Sequence, residues 1–146
     1  MTRSLVLAVA LAVAAAVSIE AQAPQYRARL SMVPIDITAQ STVSGIGAAT
    51  ATLKGSTLSI NGTFSGLKTA ATVARLHRSP KTGMRGAAIA DLTISAETSG
   101  TITGSIELTK PQVDDLAAGR LYIQLHSQKA PDGNLWGWLL AVEGKK

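Results

Sequence analysis

Along most of the chain, apolar and polar residues alternate in short runs. In "TLSINGTF", Thr57 to Phe64, Leu58 and Ile60 fall on one side of an extended chain and Ser59 and Asn61 on the other. Ala71 to His77, "ATVARLH", sorts in the same way: Val73, Arg75 and His77 on one side, Ala74 and Leu76 on the other. Further runs are Gly47 to Lys54, Ala87 to Ile94 and Thr101 to Leu108. Gly55-Ser56 stands between two of them, so Gly45 to Leu67 reads as a hairpin turning at Gly55. Turn signals return about every ten residues, the spacing of an all-β sandwich or barrel.

One stretch has a helical pattern instead. In "TKPQVDDLAAGR", Thr109 is placed to cap a helix, Pro111 lies in its first turn, and Gly119 stands at its end. Val113 and Leu116 give it an apolar edge, and the spacing predicts a short helix over 110–118. The last two strands, Leu121 to His126 and Leu135 to Val142, are joined by "SQKAPDGN", where Pro131-Asp132-Gly133 signals a turn. Both faces of the final strand are apolar, with Trp136, Trp138, Leu140 and Val142 on one and Leu135, Gly137, Leu139 and Ala141 on the other. It therefore reads as a central strand covered on both sides. The expected architecture is about seven strands and one short helix, packed as two sheets.

The beginning of the chain follows other rules. Arg3, the unbroken apolar run from Leu5 to Val17, and the small residues Ala21 and Ala23 have the order of a secretory signal peptide. The run is shorter than the ~20 residues of a spanning helix. Residues 1–23 are read as this signal, cut after Ala21 or Ala23, which leaves no membrane span in the mature chain. Residues 24–44 read as an extended lead-in, where Pro34 confines any strand to an edge or breaks it. Residues 45–146 form the domain proper, and the destination is the periplasm or the exterior.

Composition narrows the chemistry. The 146 residues contain no cysteine, which removes disulfides, thiol catalysis and thiolate metal sites. The net charge of +5 favours anionic partners. Part of it is local: Arg75, Arg78, Lys81 and Arg85 crowd one loop region. Nucleic acid is not the expected partner, because the chain is read as exported and offers few aromatic rings for base stacking. An unknown protein or an anionic envelope or polysaccharide component fits better.

Several ordered motifs resemble the CHRD domain family. They are Phe64-Ser65-Gly66-Leu67 followed by "AATVARLH", the glycines Gly83 and Gly86 after that strand, "LAAGRLYIQLH" from Leu116 to His126, and "PDGNLWGWL" from Pro131 to Leu139. The resemblance runs from about Gly47 to Leu140. It implies a secreted, immunoglobulin-like or superoxide-dismutase-like β-sandwich, and it carries over no catalytic residue. Two departures stand out. Arg75 replaces a histidine of the family pattern, and Asn134 to Trp138 replace a polar run.

The candidate chemistry is sparse. His77 and His126 are the only histidines, each ending a strand before a Gly/Pro loop, and together they suit copper or zinc. A site needs about three or four ligands. Only Asp91 and Asp132 remain to supply more, while Arg75 would repel a cation. The metal reading is therefore the alternative, and the leading reading has no cofactor. No nucleophile elbow or opposed carboxylate pair is present; Asp114 and Asp115 are adjacent on the helix and suit its dipole. The expected function is non-enzymatic: a binding or structural module of the envelope or exterior. Arg75, Arg78, Lys81, Arg85, Trp136 and Trp138 are its candidate binding residues. The two tryptophans are either half-buried under an arginine stem or the N-terminal segment, or form an exposed ridge.

Overall fold

The computed structural model describes residues 21–144. The signal-peptide reading falls almost wholly outside these residues. The described chain is all-β with one short helix. The strands are β1 (Gln25–Met32), β2 (Ile46–Lys54), β3 (Thr57–Ser65), β4 (Ala71–Arg78), β5 (Ala87–Ile94), β6 (Gly100–Glu107), β7 (Leu121–Ser127), β8 (Ala130–Trp138) and β9 (Leu140–Ala141); helix α1 spans Lys110–Ala117. None of the described helices is long and apolar enough to cross a membrane.

Every strand pairing is antiparallel, and the order β2-β3-β6-β5-β4-β7-β8-β1 closes because β1 also pairs with β2. The result is an eight-stranded barrel, with β9 added beside β1 through Tyr26 and Arg27. Its hydrogen bonds form two halves that meet at β1 and β5. The expectation of about seven strands in two sheets is thus corrected in number and in closure.

The closing strand is β1. It pairs with β2 from Gln25 to Leu30, and its far end, Ser31 and Met32, turns to β8. Tyr26, Ala28 and Leu30 point inward and are buried, while Arg27 and Arg29 point outward. The segment read as a lead-in is therefore an integral wall of the barrel. Pro34 lies just past β1, where it does not interrupt the ladder.

Alternation fills the interior. Ala49, Ala51 and Leu53 of β2, Leu58, Ile60 and Phe64 of β3, Ala74 and Leu76 of β4, and Leu121, Ile123 and Leu125 of β7 belong to one core. The β2–β3 hairpin turns at Gly55, whose φ of 63° suits glycine. Helix α1 starts with a complete capping box: Thr109 accepts from the Gln112 N–H, and Gln112 accepts from the Thr109 N–H at 2.9 Å. Gly119, with φ 71°, ends it.

Two local expectations are corrected. Pro131-Asp132-Gly133 is not the turn between the last long strands; Ser127 pairs with Ala130, so Gln128 and Lys129 make that turn. The next pair is Leu125 with Leu135, which leaves Pro131 to Asn134 bulged opposite His126. The strand covered on both sides is β7, buried at every position, and not the tryptophan strand.

Candidate binding face

The candidate side chains lie on the outer face of β4, β7 and β8. Register sets them in rows across the sheet. His77, Tyr122 and Trp138 are neighbours in one row, and Arg75, Gln124 and Trp136 in the next. His126 stands in a third, opposite Val73. The first two rows carry a continuous aromatic run. His77 stacks on Tyr122 with centroids 4.8 Å apart, and Tyr122 stacks on Trp138 at 4.8 Å. Trp136 meets Trp138 edge-on at 4.7 Å. Such contacts add about 0.5–1.5 kcal/mol per pair beyond their buried area.

The basic loop forms a roof over one end of this run. Gly86 is its anchor: its carbonyl accepts from His77 Nδ1 at 2.9 Å and from the Tyr122 hydroxyl at 3.2 Å, and its N–H donates to the Tyr122 oxygen at 3.0 Å. Arg85 donates to the Asp132 carbonyl at 3.0 Å and holds its guanidinium 5.5 Å from the centre of Trp136, a cation–π contact. The β8 bulge meets the roof from the other side. Gln124 Nε2 donates to the Asp132 carbonyl at 3.0 Å, and His126 Nδ1 donates to the Pro131 carbonyl at 2.8 Å. Asn134, fully buried, ties the bulge to Ser127 and to the Ser44 N–H.

A carbonyl only accepts, so both histidines carry their neutral-state proton on Nδ1. Their Nε2 atoms keep a lone pair and are buried without a partner, as is Gln124 Oε1. Burial lowers the pKa of both imidazoles; for His77 the charge of His126, and for both those of Arg75 and Arg85, act in the same direction, against the raising effect of the Gly86 and Pro131 carbonyls. A depressed histidine pKa favours the folded state above the unfolded value near 6.5, and that contribution is lost as pH falls through the folded value. Lowering the pH from about 7.5 to about 5.5 is therefore expected to reduce the unfolding free energy, and replacing both histidines by glutamine to flatten the dependence. Urea titrations at the two pH values measure it. The lowered carboxyl pKa values of Asp36 and Glu107 act further down, below about pH 4.5, and stay out of this window.

The two histidines share a face but not a row. Four residues of strand separate their backbone register positions, about 13 Å of rise, and each Nδ1 is held by a different carbonyl, of Gly86 and of Pro131. Two imidazole nitrogens on one zinc ion lie at most about 4 Å apart. Among the described residues, no three His, Asp or Glu side chains are grouped to hold a metal ion. Asp91 is taken by Arg75, 2.9 Å away.

The candidate cations divide into two sets. Arg75 pairs with Asp91, and Arg78 pairs with the buried Asp115, which also pairs with Arg120. Arg78 and Arg120 are tied to a buried carboxylate, Arg75 to an exposed one. Among the described residues, Lys81, Arg85, Arg27 and Arg29 face no carboxylate. Trp136 and Trp138 are half-buried, with Arg85 over one and β1 alongside. They also line a groove of about 400 Å³ shared with Arg27, Arg29, Ser31, Thr82 and Leu140. The sequence reading did not single out Arg27 and Arg29. The signal was the alternation of "QYRARLSM", in which every second residue is apolar.

Together these features define a small β-domain whose concentrated side-chain chemistry lies on a sheet face, roofed at one end and open at the other. The chain belongs to the CHRD domain family: the family model, described as CHRD domain, matches residues 27–139. The match begins inside β1, in agreement with the place of that strand in the barrel. Comparison with curated proteins and with solved structures gives no match.

Proposed function

We propose that this CHRD domain is a non-enzymatic binding module, exported to the envelope or exterior, that holds its partner at the open end of the aromatic run. The observation that carries this reading is the placement of Trp136 and Trp138. Both rings keep a partly exposed edge beside a groove, next to Arg27 and Arg29, which meet no carboxylate among the described residues. Rings fixed by stacking lose little entropy on binding, and the roof and bulge hold them in place. Export is supported by the leader-like pattern of residues 1–23.

The test is sedimentation of the purified protein with washed cell-envelope material. Retention is expected at low ionic strength, with release as salt approaches about 1 M, where charges are screened beyond about 3 Å. Absence of retention at low salt would sink the envelope reading.

A further inference from the structure

Building on that reading, we infer that the groove between β1 and β8 takes an acidic polysaccharide, a chain of sugar rings bearing carboxylates. Two rows of outward side chains define the groove. Arg27, Arg29 and Ser31 of β1 form one wall, and Trp136, Trp138 and then Leu140 form the other. The floor between them is the backbone around Gly137. From Arg27 to Ser31 the wall runs about 13 Å, the length of a short run of pyranose rings rather than a single small anion.

The two walls call for different chemistry from one ligand. The tryptophan wall suits flat, weakly polar ring faces. The opposite wall presents two guanidiniums, which suit carboxylates through paired N–H donors. Neither has an ion-pair partner among the described residues, whereas Arg75, Arg78 and Arg120 all do. A neutral glycan would leave the arginine wall unused.

An acidic peptide is the rival ligand, and the backbone argues against it. An extended peptide usually binds by adding to a free strand edge. Here β1 is paired with β2 on one side, and with β9 and β8 at the two ends of the other. Only Ala28 to Leu30 of β1 lack a ladder partner on that side, too short a stretch for a peptide strand to add along the groove. A second hollow, of about 440 Å³, lies over Thr50, Asn61, Thr63, Thr101 and Thr103. It has Arg27 at its margin but no aromatic ring, so it lacks the surface a sugar face needs.

Calorimetric titration of the whole protein tests this. The probes are an oligogalacturonate, a neutral oligosaccharide of the same length, and a polyglutamate peptide. The oligogalacturonate is expected to bind, and the other two at least roughly tenfold more weakly. The exposed double substitution Arg27→Gln with Arg29→Gln should weaken oligogalacturonate binding by roughly tenfold or more and flatten its salt dependence. Trp136→Ala should weaken it comparably, with circular dichroism to establish that the variant is folded. Equal binding of the neutral sugar, tight binding of polyglutamate, or an unaffected arginine variant would each overturn the inference. Retention by envelope material through this face without any oligogalacturonate binding would overturn the sugar and leave the module. Loss of both would remove the module as well.

Discussion

Gly86→Ala is expected to lower the unfolding free energy by about 3 kcal/mol, although it adds one methyl group to a loop. A Cβ at this position would sit 1.8 Å from the Arg78 carbonyl oxygen, and 2.7 and 2.9 Å from the Arg78 carbonyl carbon and Ser79 Cα. All three are backbone atoms, so no side-chain rotation relieves the clash, and the roof must move. Moving it breaks the bonds from His77 Nδ1 and the Tyr122 hydroxyl to the Gly86 carbonyl. A buried polar group left without its partner costs about 1–3 kcal/mol. Urea unfolding measures the loss, and tryptophan emission should shift to the red as the roof lifts from the aromatic run. Gly83→Ala is the control from the same loop. Its Cβ would meet nothing, so only the strain of φ +90° remains, at about 1–2 kcal/mol. Equal effects at both positions would contradict the account of the roof.

Asp115→Ala is expected to cost about 2–3 kcal/mol. Asp115 is buried at the base of α1 and takes both Arg78, at the end of β4, and Arg120, just before β7. Removing one partner of a buried ion pair costs about 3–5 kcal/mol when the remaining charge stays buried. Here the two arginine side chains are 49% and 40% exposed and partly regain water, which reduces the penalty, although Arg120 Nε is buried. Asp114→Ala, one residue away, should change stability by less than about 0.5 kcal/mol. Its side chain is 65% exposed and its carboxylate pairs with Lys110 at 3.5 Å. Chemical denaturation of the two variants separates the roles of these adjacent acids.

What the sequence disclosed, and what it hid, follows from where each signal lies. The hairpin at Gly55 and the helix from Thr109 to Gly119 were legible because each depends on neighbouring residues: a left-handed glycine, a cap, a first-turn proline. Closure of the barrel was not. β1 meets β2 and β8, one near in sequence and one more than a hundred residues away, and Pro34 drew attention from the alternation that precedes it. The burial of β7 was hidden because its covered outer face is polar: Tyr122, Gln124 and His126 lie beneath the roof and the bulge. Pro131-Asp132-Gly133 has the composition of a turn, but the chain uses it as a bulge whose carbonyls bind His126, Gln124 and Arg85.

The candidate site was legible in part. His77, His126, Trp136 and Trp138 do share one outer face, and the strand alternation sorted each to one side of its own strand. What alternation could not give was their order across strands. Register sets His77 beside Tyr122 and Trp138, four residues along the strand from the position opposite His126. The basic loop looked like one charged surface. It divides because Arg78 finds Asp115, distant in sequence, while Arg85 turns to Trp136 and the bulge.

The most direct test of the binding face is the envelope sedimentation repeated with two variants. Trp136→Ala removes a ring from the groove, and Thr50→Ala with Asn61→Ala alters the second hollow, which has no aromatic ring. The account predicts that the tryptophan variant, shown to be folded by circular dichroism, loses retention at low salt while the hollow variant sediments like the unaltered protein. Full retention of the tryptophan variant, or loss confined to the hollow variant, would contradict it.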